Sequence, residues 1–164
     1  MKYFTIKELC VSASHPRLVE IPNSWSQEYK NIVRLIDTVL DPLRGKLGKP
    51  IRVSSGYRPE LLNNAVGGSK TSAHRYGLAA DINTGNGSSD NITIVAAMLE
   101  NNIPYDQIII EYPTFDKNGN IETAKWIHIG LSKTTNRKQL LYSTDGRTYR
   151  TVKSQLVQKY IFKK

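Results

Sequence analysis

Two of the three histidines in the sequence lie where they could do chemistry. His74 and Asp81 are seven positions apart, with Gly77 between them. A glycine lets the backbone turn sharply, so the imidazole and the carboxylate can meet at one point. His128 follows in a Trp-Ile-His-Ile run whose alternation predicts a strand with Trp126 and His128 on one face. Ile127 and Ile129 are then expected to face the core, and His128 is expected to face a cleft.

Two imidazoles and one carboxylate form a ligand set that suits zinc. Three protein ligands leave a coordination position for water, which is the arrangement of a catalytic zinc site. Cys10 is the only cysteine, so a closed, thiolate-rich structural site is excluded; Cys10 itself is expected to be a packed thiol. The spacing alone also allows a simpler interpretation, a hydrogen-bonded histidine–aspartate pair without a metal.

The elements that must position these residues come in an α+β order, with helices first and strand pairs later. A helical periodicity begins at Ser26, is interrupted at Pro42 and ends at Gly48. Further helices are predicted at residues 59–65 and 90–101, and strands at residues 50–55, 78–83, 107–112, 125–131, 139–143 and 147–152. No linker divides the chain. We therefore predict one domain over residues 1–164, with a basic C-terminal extension of about residues 137–164 completing it.

The chain is basic, with a formal net charge of +9 at pH 7. Such a charge indicates either a solvated basic surface or an anionic partner, such as nucleic acid or an acidic cell wall. The sequence has no RNA-binding signature and no helix-turn-helix pattern, so we expect no specific nucleic-acid partner. It also has no apolar run of the roughly 20 residues that a membrane helix needs.

Several stretches resemble the D-alanyl-D-alanine carboxypeptidase family of zinc peptidases, peptidase M15. Residues 72–81 (Ser-Ala-His-Arg-Tyr-Gly-Leu-Ala-Ala-Asp) resemble its S-x-H-x-x-G-x-A-x-D signature. Residues 126–128 (Trp-Ile-His) resemble its W-x-H element, and residues 54–58 (Ser-Ser-Gly-Tyr-Arg) its S-G-Y-R element. Residues 4–9 and 40–44 are similar to the small subfamily that occurs in phage endolysins and bacterial genomes.

The resemblance implies a fold shared with hedgehog signalling domains, a small antiparallel sheet backed by helices. It implies Zn²⁺ as cofactor, with His74, Asp81 and His128 as ligands. It also implies hydrolysis of amide bonds in peptidoglycan stem peptides, by a D,D-carboxypeptidase or an L,D/D,D-endopeptidase, as in an endolysin. The alternative is a non-catalytic zinc-binding module that binds the wall or another protein.

Four residues are expected to contact the substrate. Arg58 matches the family's substrate-facing arginine, and its guanidinium could bind a substrate carboxylate or stabilise the oxyanion. The alternative for Arg58 is a salt bridge that braces its loop. Ser72 is expected to hydrogen-bond near the site, although it could equally cap a turn. Tyr57 and Trp126 are expected to line the cleft.

The general base is where the sequence departs from many family members, which carry an acid three positions before the last histidine. Lys125 occupies that position here and cannot serve as the base. Glu111 ends a predicted strand, and the small subfamily places a glutamate there, so we predict Glu111 as the base. Glu122 is the rival and is expected to be solvated. The alternative for Glu111 is an ordinary carboxylate at the rim of the cleft.

The N-terminal residues lack the apolar core of a signal peptide. Together with the resemblance, this favours a soluble monomer made in the cytoplasm. It would reach the cell wall by another route, such as release through a partner pore. A phage lysin and a bacterial wall-remodelling enzyme are both compatible with the sequence.

Overall fold

Two helices joined by a π-helical turn form most of the helical layer. In the computed structural model, which describes residues 1–153, α1 spans Gln27–Leu35 and α2 spans Asp41–Leu47, with the π-turn at Ile36–Leu40. The hydroxyl of Ser26 caps α1 by accepting a backbone N–H of its first turn at 3.1 Å. Pro42 has no N–H to donate, and the expected interruption takes the form of the π-turn that precedes it.

The remaining elements are short. Helix α3 spans Glu60–Ala65 and α4 spans Ser88–Glu100, with 3₁₀ turns at Lys7–Leu9, Pro16–Leu18 and Ala73–Tyr76. The strands are β1 Arg52–Ser55, β2 Ala79–Asn83, β3 Gln107–Glu111, β4 Thr114–Phe115, β5 Ile121–Thr123, β6 Trp126–Gly130, β7 Gln139–Ser143 and β8 Arg150–Thr151. The N-cap of α4 is Gly87, so this helix begins at Ser88, two residues before the start of the predicted range 90–101.

The larger sheet has six strands in the order β1-β2-β6-β3-β7-β8, while β4 and β5 form a separate hairpin. The α+β class is confirmed, but the sheet is mixed, because β7 runs parallel to β3. Strand β6 is antiparallel to β3 and ends at Gly130, opposite Gln107 at the start of β3. The short connection that follows therefore begins β7 at the same end as β3, and the two strands run in the same direction.

Strand alternation separates an apolar face from a polar face. Ala80, Ile82, Ile108, Ile110, Ile127 and Ile129 are buried and belong to the hydrophobic core, together with Leu35, Ile36, Leu40, Leu43, Ile94 and Met98 of the helices. Burial of these side chains against the helices is the main force that fixes the strand register. The alternate residues of β2, β3 and β6 are thereby directed to the opposite face of the sheet.

The C-terminal strands β7 and β8 lie in the same sheet as β1–β3. The predicted end of the domain, residues 154–164, lies outside the described residues, so the 1–164 boundary stays a prediction. Within residues 1–153, no helix combines the length and apolar character needed to cross a membrane.

Candidate active site

Three elements bring the sequence-predicted metal ligands together. His74 lies in the 3₁₀ turn, Asp81 on β2 and His128 on β6, where Asp81 and His128 are directly paired across the sheet. Gly77 ends the turn at φ +69°, and a Cβ there would lie 2.6 Å from the carbonyl oxygen of Glu28. A glycine is therefore needed for the chain to turn between the first two ligands.

The ligand atoms of the three side chains converge. Nε2 of His74 lies 3.2 Å from Nδ1 of His128 and 3.3 Å from Oδ1 of Asp81. Nδ1 of His128 lies 2.9 Å from Oδ1 of Asp81. One ligand atom from each residue falls within 4.8 Å of the others, so this group could hold a metal ion.

The protonation states suit a metal site. Nδ1 of His74 lies 2.8 Å from the carbonyl oxygen of Gly56. Because a carbonyl only accepts hydrogen bonds, Nδ1 carries the proton, and the lone pair of Nε2 faces the other two residues. Burial lowers the pKa of His74, which favours the neutral ring. Burial tends to raise the pKa of Asp81, but His74 and His128 outweigh it and hold this pKa well below its usual range.

The triad opens into a cleft of about 580 Å³. Of the other sequence-predicted site residues, Arg58, Ser72, Glu111 and Trp126 also line it. The structure thus places most of the predicted site residues around one cavity, although they come from separate parts of the sequence.

Tyr57 is the exception, because it packs against the hydrophobic core and does not line the cleft. Its backbone N–H bonds to the carbonyl oxygen of Leu9 at 2.6 Å. Burial raises the pKa of its phenol. The position of Tyr57 therefore gives no support to its predicted role in substrate binding.

Glu111 lies on the same sheet face as the triad. It is paired with Trp126 on β6, two residues from His128. Only 7% of Glu111 is exposed, and its Oε2 atom is buried without a hydrogen-bond partner among residues 1–153. Burial is the main cause that raises the pKa of Glu111, to about 7. Its rival Glu122 is exposed on β5 and outside the cleft lining.

Lys125 replaces the acid of many relatives without putting its charge among the ligands. Its backbone N–H donates to the carbonyl oxygen of Glu111 at 2.9 Å. Its ammonium lies 5.5 Å from the ring centroids of both Tyr112 and Trp126. These rings hold the cation at the cleft rim by cation–π attraction.

Arg58 forms no ion pair within the described part of the chain, so the predicted alternative of a bracing salt bridge is not formed. Its Nη2 lies 3.5 Å from the hydroxyl of Ser72, and its Nε is buried without a hydrogen-bond partner among residues 1–153. Burial lowers the pKa of the guanidinium, although Asp81 opposes this effect. Arg58 is thus a largely buried cation with donor capacity left for a ligand in the cleft.

Several lining residues were not assigned to the site from the sequence. They are Gln107 and Ile109 of β3, Val66 to Ser69 and Thr71 of one loop, and Asp106, Gly130, Arg137, Gly146 and Tyr149. The alternating pattern of β3 could have predicted Gln107 and Ile109 as lining residues, because they lie on the same face of the strand as Glu111. Arg137, Gly146 and Tyr149 could not be found in this way, because they reach the cleft only through the parallel pairing of β7 with β3.

A family model described as Peptidase M15 matches residues 2–130. The chain belongs to the peptidase M15 family. This match confirms the resemblance inferred from the motifs and supports a metallopeptidase, whose metal the His–Asp–His group could bind. A comparison with curated proteins finds no matching relative. The M15 match contains the triad, Arg58 and Glu111, and it ends at Gly130, so β7 and β8 lie outside it.

Proposed function

We propose that this M15 protein is a zinc-dependent peptidase that hydrolyses amide bonds in peptidoglycan stem peptides. One observation carries the proposal. The ligand atoms of His74, Asp81 and His128 converge in a cleft that also contains Glu111, a buried carboxylate with one oxygen that has no partner in the described part of the chain. A metal site and a proton acceptor on one face are the two groups that metal-assisted hydrolysis of an amide uses.

The separations between the ligand atoms support zinc. Atoms that lie 2.0–2.1 Å from a tetrahedral zinc ion are about 3.3 Å apart. The two separations that involve Nε2 of His74 are 3.2 and 3.3 Å, and the third is 2.9 Å. The donor set of two imidazoles and one carboxylate is also one that catalytic zinc sites use. His74, Asp81 and His128 are therefore the proposed zinc ligands.

When bound, zinc supplies a Lewis acid that polarises the peptide carbonyl and lowers the pKa of water. Glu111 is the proposed general base. Its pKa near 7 lets it accept a proton from the attacking water at neutral pH and then return that proton to the departing amine. Within residues 1–153, Oε2 has no hydrogen-bond partner, which leaves this atom available for both transfers.

Arg58 is proposed to bind the substrate. It is mostly enclosed, and in such surroundings a guanidinium can fix a substrate carboxylate or stabilise a developing oxyanion. Ser72 lies within reach of its Nη2, and Trp126 provides an apolar wall. Stem peptides carry free carboxylates, and the net charge of +9 favours their approach.

The proposal leaves two activities open, removal of a terminal residue or cleavage within a cross-link, as in an endolysin. Both act at the cell wall, and neither requires more than a monomer. The position of Glu111 beside the triad counts against the alternative, a non-catalytic zinc-binding module. A module that only binds has no need of a buried and unpartnered carboxylate, because such a group costs stability.

A digest of defined muropeptides, followed by mass spectrometry, tests the proposal. The zinc-loaded protein is expected to release a product that a chelator abolishes and added zinc restores. Glu111→Gln should reduce the rate at least 100-fold, while the matched control Glu122→Gln should keep it. Product formation by Glu111→Gln at the control rate would exclude Glu111 as the base. Binding of muropeptides by wild type without any product would favour the non-catalytic module.

A further inference from the structure

Part of the cleft wall comes from residues that the M15 match does not cover. The match ends at residue 130, whereas Arg137, Gly146 and Tyr149 line the cleft. No motif of the sequence assigned a role to these residues. The segment that carries them therefore brings side chains to the site in addition to those that the family match contains.

The segment is held firmly against β3. Ser143 at the end of β7 pairs with Glu111, and its carbonyl oxygen accepts the N–H of Tyr112 at 2.8 Å. The turn that follows is closed by Asp145, whose Oδ1 accepts the backbone N–H groups of Arg147 and Thr148 at 2.8 and 2.7 Å. An ordered turn of this kind presents the next residue, Tyr149, at a fixed place.

Gly146 allows the tip of this turn to approach the cleft closely. Its φ is +67°, and a Cβ at this position would lie 2.6 Å from the hydroxyl oxygen of Tyr112. The hydroxyl of Tyr149 donates to the carbonyl oxygen of Gly146 over a long 3.3 Å. A hydrogen bond of this length is easily exchanged for a shorter one to a ligand.

The phenol of Tyr149 lies within electrostatic range of the proposed catalytic groups. Burial raises its pKa first, and the carboxylates of Glu111 and Asp81 add to this effect. Tyr149 in turn opposes the lowering of the Arg58 pKa. The raised pKa keeps this hydroxyl protonated at neutral pH, and 49% of Tyr149 remains exposed, so an incoming molecule can reach the side chain.

We propose that Tyr149 is a substrate-binding residue whose hydroxyl donates a hydrogen bond to a carbonyl or carboxylate oxygen of the peptide, on the wall of the cleft that β7 and β8 provide. This inference rests on the proposed peptidase function. It assigns to the chain beyond residue 130 a role in substrate recognition. The ligand class is a peptide whose oxygen atoms are presented to both Tyr149 and Arg58.

Steady-state kinetics of the full-length, zinc-loaded protein on one defined stem peptide test the inference. Tyr149→Phe removes only the hydroxyl, and it should raise KM about 10-fold, as expected for one lost hydrogen bond. Tyr142→Phe is the matched control, because Tyr142 lies on β7 and packs against Phe115 outside the cleft. The control should stay within about twofold of wild type. A KM of Tyr149→Phe equal to that of the control would overturn the inference.

Two further measurements separate this inference from its alternatives. Tyr149→His keeps a ring and an N–H donor, so a KM between those of wild type and Tyr149→Phe supports donation rather than packing, and a KM no lower than that of Tyr149→Phe counts against it. Should wild type release no product, the peptidase proposal fails, and calorimetric titration of the same peptide then tests Tyr149 alone. A Kd about 10-fold weaker for Tyr149→Phe supports its role. An equal Kd, or no binding to wild type, overturns it.

Discussion

The carbonyl oxygen of Gly56 lies 2.8 Å from Nδ1 of His74 and fixes the orientation of its ring. Gly56 is in turn pressed against the N-terminal arm, where a Cβ would lie 2.1 Å from the carbonyl oxygen of Leu9. The packing of the arm against the end of β1 thus determines where a candidate metal ligand points. Hydrogen-bond partners of this kind orient ligands and increase their affinity for a metal.

Gly56→Ala is expected to weaken metal binding, because the added Cβ must displace the backbone that carries this carbonyl. The expected loss of zinc affinity is about 10- to 100-fold, measured by calorimetric titration of the metal-free protein. Gly45→Ala is the control, since its Cβ would meet only the ring of Tyr3, at 3.7 Å. Equal affinities of the two variants would show that the Gly56 carbonyl does not orient His74.

Removal of metal is expected to lower the thermal midpoint of wild type. A ligand that binds only the folded state stabilises it by about 2.7 kcal/mol at 100 times its Kd. His128→Ala and Asp81→Asn should abolish the rise in midpoint that zinc produces. His15→Ala is the control, because this half-buried histidine hydrogen-bonds through its ring to Ser14 and lies outside the metal-ligand group found among residues 1–153. A zinc-dependent rise that persists in His128→Ala would place the metal elsewhere.

Activity is expected to fall as the pH drops below about 7. Burial raises the pKa of Glu111 to about 7, and a general base works only when it is ionised. A bound cation nearby favours the ionised form, so the inflection of the zinc-loaded enzyme should lie at or below this value. A profile of kcat/KM against pH measures it. Glu122→Gln should leave the inflection unchanged, and activity that rises towards pH 5 would contradict the assignment.

The same carboxylate predicts a pH-dependent stability for the metal-free protein. The pKa of Glu111 is raised from 4.5 to about 7, so the folded state binds more protons than the unfolded state across this interval. The contribution of Glu111 to the free energy of unfolding is therefore fully present below pH 4.5 and is lost as the pH rises through 7. Glu111→Gln removes the buried charge and should stabilise the protein at pH 8 by about 1–2 kcal/mol. Near pH 4.5 it should have little effect.

Urea unfolding at the two pH values measures this difference. Glu122→Gln changes an exposed residue and should match wild type in stability at both pH values. A stability of Glu111→Gln below that of wild type at pH 8 would mean that the ionised Glu111 gains a partner when the metal is absent. We expect Glu111→Gln to be inactive but more stable than wild type. This combination is typical of a residue that serves catalysis and lowers the stability of the fold.

The convergence of His74, Asp81 and His128 could be predicted because it depends mostly on local patterns, although their role as metal ligands stays a prediction. Strand alternation places Trp126 and His128 on one face and buries Ile127 and Ile129 on the other, as observed. The hydrophobic pattern of β3 also determines which face of the sheet carries Glu111. These conclusions need only the two-residue period of a strand.

The wall formed by β7 could not be predicted in this way. Its parallel pairing depends on where β6 ends relative to β3, which is a tertiary relationship. The sequence predicts strands at residues 139–143 and 147–152, and β7 and β8 do pair, but nothing local shows that β7 also joins β3. The position of Tyr57 likewise depends on a distant contact, since its neighbour Gly56 is held by Leu9.

The ion pair between Asp106 and Arg137 is expected to hold β7 in place. Only 6% of Asp106 is exposed, and its Oδ1 accepts both the backbone N–H and the Nε–H of Arg137, at 2.7 and 3.0 Å. Asp106→Ala should destabilise the protein by about 1–3 kcal/mol, because it leaves the backbone N–H and the guanidinium without their acceptor. Glu60→Ala is the control, since Glu60 is exposed in its pair with Arg75 and surface pairs contribute about 0–1 kcal/mol.

The contribution of Asp106 should also depend on pH. Its hydrogen bonds from Arg137 lower its pKa in the folded state. A lowered carboxyl pKa gives stability that is present above the unfolded value of about 3.9 and is lost as the pH falls through the folded value. Wild type should therefore exceed Asp106→Ala in stability at pH 6, and the two should converge on acidification. A difference that stays constant down to pH 2, measured by urea unfolding, would show that the loss comes from packing rather than from the charge of Asp106.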